Sequence, residues 1–145
     1  MKIEILELTI QDYDDAIALW KSCSGVSIRD ADSRENIQRY LNRNPGLSFK
    51  AVKNDKLVGT ILCGHDGRRG YINHLAVSSN HRNQGIGRKL VETSLCELKK
   101  QEIEKCHLFV FVENIEATKF WERLGWKVRE EINMMSLNVS DSVNP

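Results

Sequence analysis

Apolar and polar residues alternate with period two from Lys2 to Leu8, the pattern of a half-buried strand. Thr9 then stands at the cap of a segment in which Tyr13, Ala16, Ile17, Leu19 and Trp20 recur at helical spacing, and Gly25 closes it. Residues 26–32 form a polar connection. Ser33 opens a second helix with Ile37, Tyr40 and Leu41 on one side, stopping before Pro45-Gly46. Leu47 to Lys53 and Lys56 to His65 read as two strands joined at Asn54-Asp55, a tight hairpin signal. Asp66-Gly67-Arg68-Arg69-Gly70 turns into a fourth strand ending Leu75-Ala76-Val77. Beyond it, Ile86, Leu90, Val91, Leu95 and Leu98 mark an amphipathic helix, followed by a strand at about 105–112, a short helix at 115–124 and a last strand at about 126–137. The order β-α-α-β-β-β-α-β-α-β predicts a mixed α/β fold. No repeat or linker divides the chain, so one domain is expected over residues 1–137, with a polar tail, 138–145, expected to fray.

Composition narrows the field. The chain has 145 residues, 41% hydrophobic and 28% charged, enough to bury a substantial core. Its 21 basic and 20 acidic residues leave no overall charge to hold it on nucleic acid or an anionic membrane. Acids interrupt the first apolar run, which reads as a strand rather than a signal peptide, and no apolar stretch approaches a membrane span. Cys23, Cys63, Cys96 and Cys106 are scattered, without a C-x-x-C pair, as expected of reduced thiols in a cytoplasmic protein; no metal site is expected.

The chemistry concentrates at Arg82-Asn83-Gln84-Gly85-Ile86-Gly87, where the fourth strand passes through a polar turn into the amphipathic helix. A helix N-terminus carries unpaired N–H groups and partial positive charge, and glycine lets an anion approach without meeting a Cβ. A diphosphate suits such a place. A Rossmann turn requires a third glycine where Leu90 stands, and nothing in the chain matches a P-loop.

Arg82-x-x-Gly85-x-Gly87 after Leu75-Ala76-Val77 resembles the acetyl-CoA signature of the GNAT N-acetyltransferases. Phe109-Val110-Phe111-Val112-Glu113-Asn114, followed by Ala117-Thr118-Lys119-Phe120-Trp121-Glu122-Arg123-Leu124-Gly125-Trp126, is similar to that family's late strand, its Asn and its short helix. The likeness extends over about residues 1–137 and is nearest to the small bacterial acetyltransferases of the YpeA type, through Leu19-Trp20-Lys21-Ser22-Cys23, Val58-Gly59-Thr60 and Asp66-Gly67-Arg68-Arg69-Gly70. It implies a GNAT fold, acetyl-CoA as cosubstrate, and transfer of acetyl to a primary amine of a small molecule or peptide by direct attack in a ternary complex.

The same resemblance assigns the backbone of Leu75, Ala76 and Val77 to the pantetheine arm and carbonyl. The amides of Arg82, Asn83, Gln84, Gly85, Ile86, Gly87 and Arg88 go to the diphosphate, and Asn114 to pantetheine or its thiol end. Asn114 reads equally well as a helix N-cap. Where the family commonly places a tyrosine acid, this chain has Trp121, whose indole N–H donates a hydrogen bond but has no role in proton transfer near neutral pH. Tyr71 is then the candidate acid. The positions matching the family's base are Tyr71 and Asn73, which would act through an ordered water. Strand parity turns the neighbouring His74 to the opposite face, where a structural role is expected. The acceptor is expected between the two N-terminal helices, with Arg29, Asp30 and Asp32 as candidate contacts.

Two other readings compete. The absence of a tyrosine at Trp121 and of an obvious base would suit an acyl-CoA-binding sensor that has lost catalysis. A nucleic-acid module would rest only on the basic residues from His81 to Lys89, which Glu92 and Glu97 offset. The oligomeric expectation is a monomer or a homodimer.

Overall fold

The computed structural model describes residues 2–145. A five-stranded sheet runs in the order β1-β2-β3-β4-β5, formed by β1 (Glu4–Glu7), β2 (Phe49–Lys53), β3 (Lys56–His65), β4 (Gly70–Val77) and β5 (Cys106–Leu108). β1 to β4 pair antiparallel, and β5 joins β4 in parallel. Four helices accompany it: α1 (Tyr13–Ser22), α2 (Arg34–Arg43), α3 (Ile86–Lys100) and α4 (Ile115–Arg123).

Local chemistry sets these boundaries. Asn54 and Asp55 adopt φ of +53° and +63°, the left-handed pair that a two-residue hairpin needs to follow the strands' twist. Ser33 caps α2 by accepting from the Asn36 N–H at 3.2 Å, and Asn44 ends it. Thr9 introduces α1 through a single 3-10 turn, with the Asp12 carboxylate accepting from the Thr9 N–H at 2.9 Å.

Each face of the sheet has its own core. On one side Ile86, Leu90, Val91 and Leu98 of α3 cover Ala51, Val58, Ile61, Cys63 and Ile72. On the other, Ala16, Leu19 and Trp20 of α1 and Ile37 of α2 cover Leu62 and Ala76. Trp20 is fully buried. Truncating a core aromatic of that size costs about 3–5 kcal/mol, so this residue anchors α1 to the sheet.

Two departures from the sequence reading shape the site. The fifth strand is shorter than expected: pairing with β4 covers only Gly70–Ile72 against Cys106–Leu108, and the chain then turns away toward α4. The last expected strand, 126–137, is absent from the sheet. Val128, Ile132 and Met134 of that segment, whose spacing suits one face of a strand, are exposed, as is Leu137. Alternation supplies a face but not a hydrogen-bonding partner, and β5 ends too early to offer one. Near the terminus, the Asp30 N–H donates to the Asn144 carbonyl at 2.8 Å, and Ser142 Oγ bonds Asp30 Oδ2 at 2.7 Å.

Candidate functional site

β4 is the axis of the site. From Asn73 to Val77 its outer side has no strand partner, because β5 has already departed. This unpaired edge runs toward the loop before α3. There Asn83 (φ +62°) and Gly85 (φ +78°) wind the backbone left-handed, which turns consecutive N–H groups toward one side. A Cβ built on Gly85 meets no heavy atom within 4 Å, so the ground in front of the loop is open. The first helical bond of α3 is Lys89 N–H to the Gly85 carbonyl, at 3.1 Å, and no side chain caps the helix. The N–H groups of Ile86, Gly87 and Arg88 therefore have no intrahelical acceptor. Gly87 has a different function: a Cβ there would stand 3.2 Å from the Phe120 ring, so glycine lets α4 pack against the start of α3.

β4 is not a regular strand. Thr60 pairs with Ala76, whereas Leu62 pairs with Asn73, so two steps on β3 answer three on β4. The extra residue is a β-bulge around His74, whose φ is +47°. The bulge reverses parity: Asn73 and Ala76, three apart, face the same helices, and His74 joins them. The expectation that His74 points to the opposite face is thus corrected. The His74 carbonyl accepts instead from Thr60 Oγ1 at 3.1 Å, and Trp20 Nε1 donates to the same hydroxyl at 2.8 Å. The Trp20 and His74 rings lie 4.7 Å apart.

On that face opens a cleft of about 290 Å³, lined by Ser27, Arg29, Ala31, Asp32, Ile37, Tyr40, Leu62, Asn73 and His74. Asp32 is 8% exposed, and both its oxygens are engaged: Oδ1 lies 2.7 Å from His74 Nε2, and Oδ2 accepts from the Arg29 N–H at 2.9 Å. Tyr13 donates its hydroxyl to the Asp32 carbonyl at 2.7 Å. Burial by itself would raise the Asp32 pKa, but the His74 hydrogen bond, the Arg29 N–H and the His74 charge outweigh it and hold the carboxyl below its ordinary value. Burial pushes the Tyr40 hydroxyl well up; the Asn73 amide is close enough to ease its ionisation but lacks hydrogen-bond geometry. Burial, with Asp32 and Asp14 after it, also raises Tyr13.

The other sequence candidates are distributed around these two regions. Arg29, Asp32 and Asn73 line the cleft, and Asp30 stands at its border, bonded to the tail. Tyr71 lies outside the lining, stacked on Phe109 with 6.4 Å between centroids and beside His107 at 5.7 Å. Asn114 is the N-cap of α4, its Oδ1 accepting from the Ala117 N–H at 3.2 Å; its amide nitrogen faces Gly25. Trp121 packs edge-on against Phe120 and Trp126, at 5.2 and 5.0 Å, and against the α3 core. Arg82 donates to the Val77 carbonyl at 3.3 Å, whereas Arg88 is an exposed partner of Glu92. The sequence reading missed Ser27 and Tyr40 and set His74 aside. A signal for His74 was present: Asn73-His74 places two polar residues side by side within the otherwise apolar run from Tyr71 to Val77, as a bulge permits.

The Acetyltransferase (GNAT) family model matches residues 7–126, spanning every helix and strand from the first helix to the last. The chain belongs to the GNAT acetyltransferase family. It is accordingly an acetyl-CoA-dependent N-acetyltransferase. Among curated relatives, N-alpha-acetyltransferase 30 of Schizosaccharomyces pombe is 33% identical over 108 residues, covering 71% of this chain and 72% of that one. An acetyltransferase of Pectobacterium atrosepticum is 28% identical over 139 residues, covering 96% and 98%. Among solved structures, the PaiA N-acetyltransferase of Thermoplasma acidophilum in complex with coenzyme A superposes with a TM-score of 0.80 at 24% identity, over 90% and 92% of the two chains. A GNAT-family acetyltransferase of Staphylococcus aureus reaches 0.79 at 25% identity, over 97% and 95%.

The features of this acetyltransferase fit the cosubstrate. The loop before α3 offers an open, left-handed cradle of free N–H groups, and the edge of β4 leads from it to the cleft. Among the described residues no group of three His, Cys, Asp or Glu side chains is placed to hold a metal ion, and no helix is long and apolar enough to cross a membrane.

Proposed function

We propose that this enzyme transfers acetyl from acetyl-CoA to a primary amine of a small molecule or peptide, by direct attack with both substrates bound. The observation that carries the reading is the continuity of β4. Asn73 and His74 line the cleft, and the next three residues, Leu75, Ala76 and Val77, form the unpaired edge leading to the α3 cradle. An amine in the cleft and an acyl group along that edge would meet around a single strand, without a covalent enzyme intermediate.

In this reading the amides from Arg82 through Asn83, Gln84, Gly85, Ile86 and Gly87 to Arg88 hold the diphosphate, and the backbone of Leu75, Ala76 and Val77 holds the pantetheine arm. Asn114 orients the thiol end through its amide nitrogen, since its oxygen caps α4. The bound cosubstrate supplies an activated acyl group on a thiolate leaving group. Trp121 shapes the wall beside it, Asn73 orders water near the reacting amine, Tyr71, outside the cleft, is the candidate acid for the leaving thiolate, and Arg29, Asp30 and Asp32 surround the acceptor.

Relatives favour an amine on a peptide as well as on a small molecule: one solved neighbour is the NatC complex bound to Gag peptide and CoA, and another is an aminoglycoside acetyltransferase in complex with sisomicin. Here the Asp30 N–H already binds a peptide carbonyl, that of Asn144. The test is acetyl-CoA-dependent thiol release with a panel of peptides and small amines. Amine-dependent release with acetylated product supports the proposal; release without acetylated amine contradicts it.

A further inference from the structure

Resting on that reading, we infer that His74 is the general base of the reaction, acting through Nδ1, and that Asp32 is the residue that positions it. The bulge is the device that makes this possible. It brings the imidazole onto the cleft face beside Asn73, and the Trp20 ring and the Thr60 hydroxyl hold its ring and its carbonyl.

The tautomer follows from the partner. A carboxylate only accepts hydrogen bonds, and Asp32 is held ionised by the Arg29 N–H and the imidazole. Nε2, 2.7 Å from Oδ1, therefore carries the proton. In the neutral ring the lone pair is then on Nδ1, which meets no hydrogen-bond partner among the described residues. A histidine serving only to tie β4 to the Asp32 loop would need Nε2 alone. Its presence in the cleft lining, with the basic nitrogen unengaged, is what a base requires.

The step balances. The amine nitrogen bonds to the acyl carbon, the carbon–sulfur pair leaves on sulfur, and Nδ1 takes the proton lost from nitrogen. The resulting imidazolium, stabilised by Asp32, gives a proton to the thiolate through water, and both return to their starting forms. Asp32 and Arg29 of the connection, Tyr13 of α1 and Tyr40 of α2 are the other charged or titratable groups around the ring. Asp32 titrates lower than usual and both tyrosines higher, so none of them competes in the neutral range.

Two measurements test the inference. Nitrogen-15 NMR of the free protein, which needs no substrate, should show Nε2 protonated and Nδ1 bare in neutral His74; the opposite tautomer overturns it. In the pH profile of kcat/KM, the wild type should show an acid limb that His74→Gln removes, with kcat down ~100-fold or more and acetyl-CoA affinity unchanged. Asp32→Asn should retain the limb, displace it, and lower kcat less. An unchanged profile in His74→Gln overturns the inference while leaving the transferase intact; a wild type that transfers no acetyl overturns the function on which it rests.

Discussion

His74 and Asp32, 42 positions apart in the chain, meet at 2.7 Å and join the bulge of β4 to the connection between α1 and α2. The contact fixes the cleft and makes its stability depend on pH. The pKa of Asp32 is lower in the folded chain than in the unfolded one. Its ionised form therefore favours folding above the unfolded value, near ~3.9, and that contribution is lost as pH falls through the folded value. Urea midpoints recorded from pH 7 to pH 3 should drop steeply below about pH 4 in the wild type. Asp32→Asn should be less stable by about 1–3 kcal/mol at pH 7 and should show a shallower acid decline. Parallel curves would contradict the coupling.

The support beneath the bulge is a second target. Thr60→Val keeps the side-chain shape but leaves the Trp20 indole N–H and the His74 carbonyl without their shared hydroxyl. Two buried groups lose a partner, which should cost about 2–4 kcal/mol in chemical denaturation. Thr60→Ser, which keeps the hydroxyl, should cost less than half as much. Equal losses would mean that the methyl group, not the hydrogen bonds, matters.

Thiol reactivity should divide sharply. Burial and the neighbouring Cys106 push the Cys63 thiol up to about 12, and burial pushes Cys106 up to about 11, whereas Cys96 is exposed. With a chromogenic disulfide at pH 8, Cys96 should give the only fast phase, because Cys23 and Cys63 are buried and the half-buried Cys106 holds its proton. Cys96→Ser should abolish that phase. A fast phase that survives would contradict this division of the thiols.

Gly87→Leu should separate α4 from α3. Its Cβ would sit 3.2 Å from the Phe120 ring, and overpacking of this kind costs about 1–3 kcal/mol. Thermal unfolding should record the loss. A variant as stable as the wild type would show that α4 can give way at no cost.

Where local chemistry decides the conformation, the structure was readable in advance. Asn54-Asp55 sets the hairpin, Ser33 the start of α2, and Gly85 the left-handed cradle, each through a preference expressed over a few residues. Two features depend on partners far along the chain. The orientation of His74 turns on the register of β3 against β4, which parity along β4 alone takes to be regular. The segment 126–137 has a strand's alternation but no available edge. In the cleft, Arg29 and Asp32 were legible from their place between the two N-terminal helices, and Asn73 through the resemblance, as a position matching the family's base. Tyr40 was read only as a core residue of α2, because its apolar ring fits that face as well as its hydroxyl fits the cleft.

The cradle before α3 is the foundation of the whole reading, and isothermal titration of acetyl-CoA into the wild type and Gly85→Asp tests it most directly. The wild type should bind one equivalent. The aspartate should weaken binding at least tenfold, because it sets a negative charge before the free N–H groups; its Cβ meets no heavy atom within 4 Å, and Gly85→Asn, which carries the same backbone strain at φ +78° without the charge, should bind more tightly than the aspartate. Equal affinity in the wild type and Gly85→Asp, or none in either, would contradict the placement of the cosubstrate at this loop.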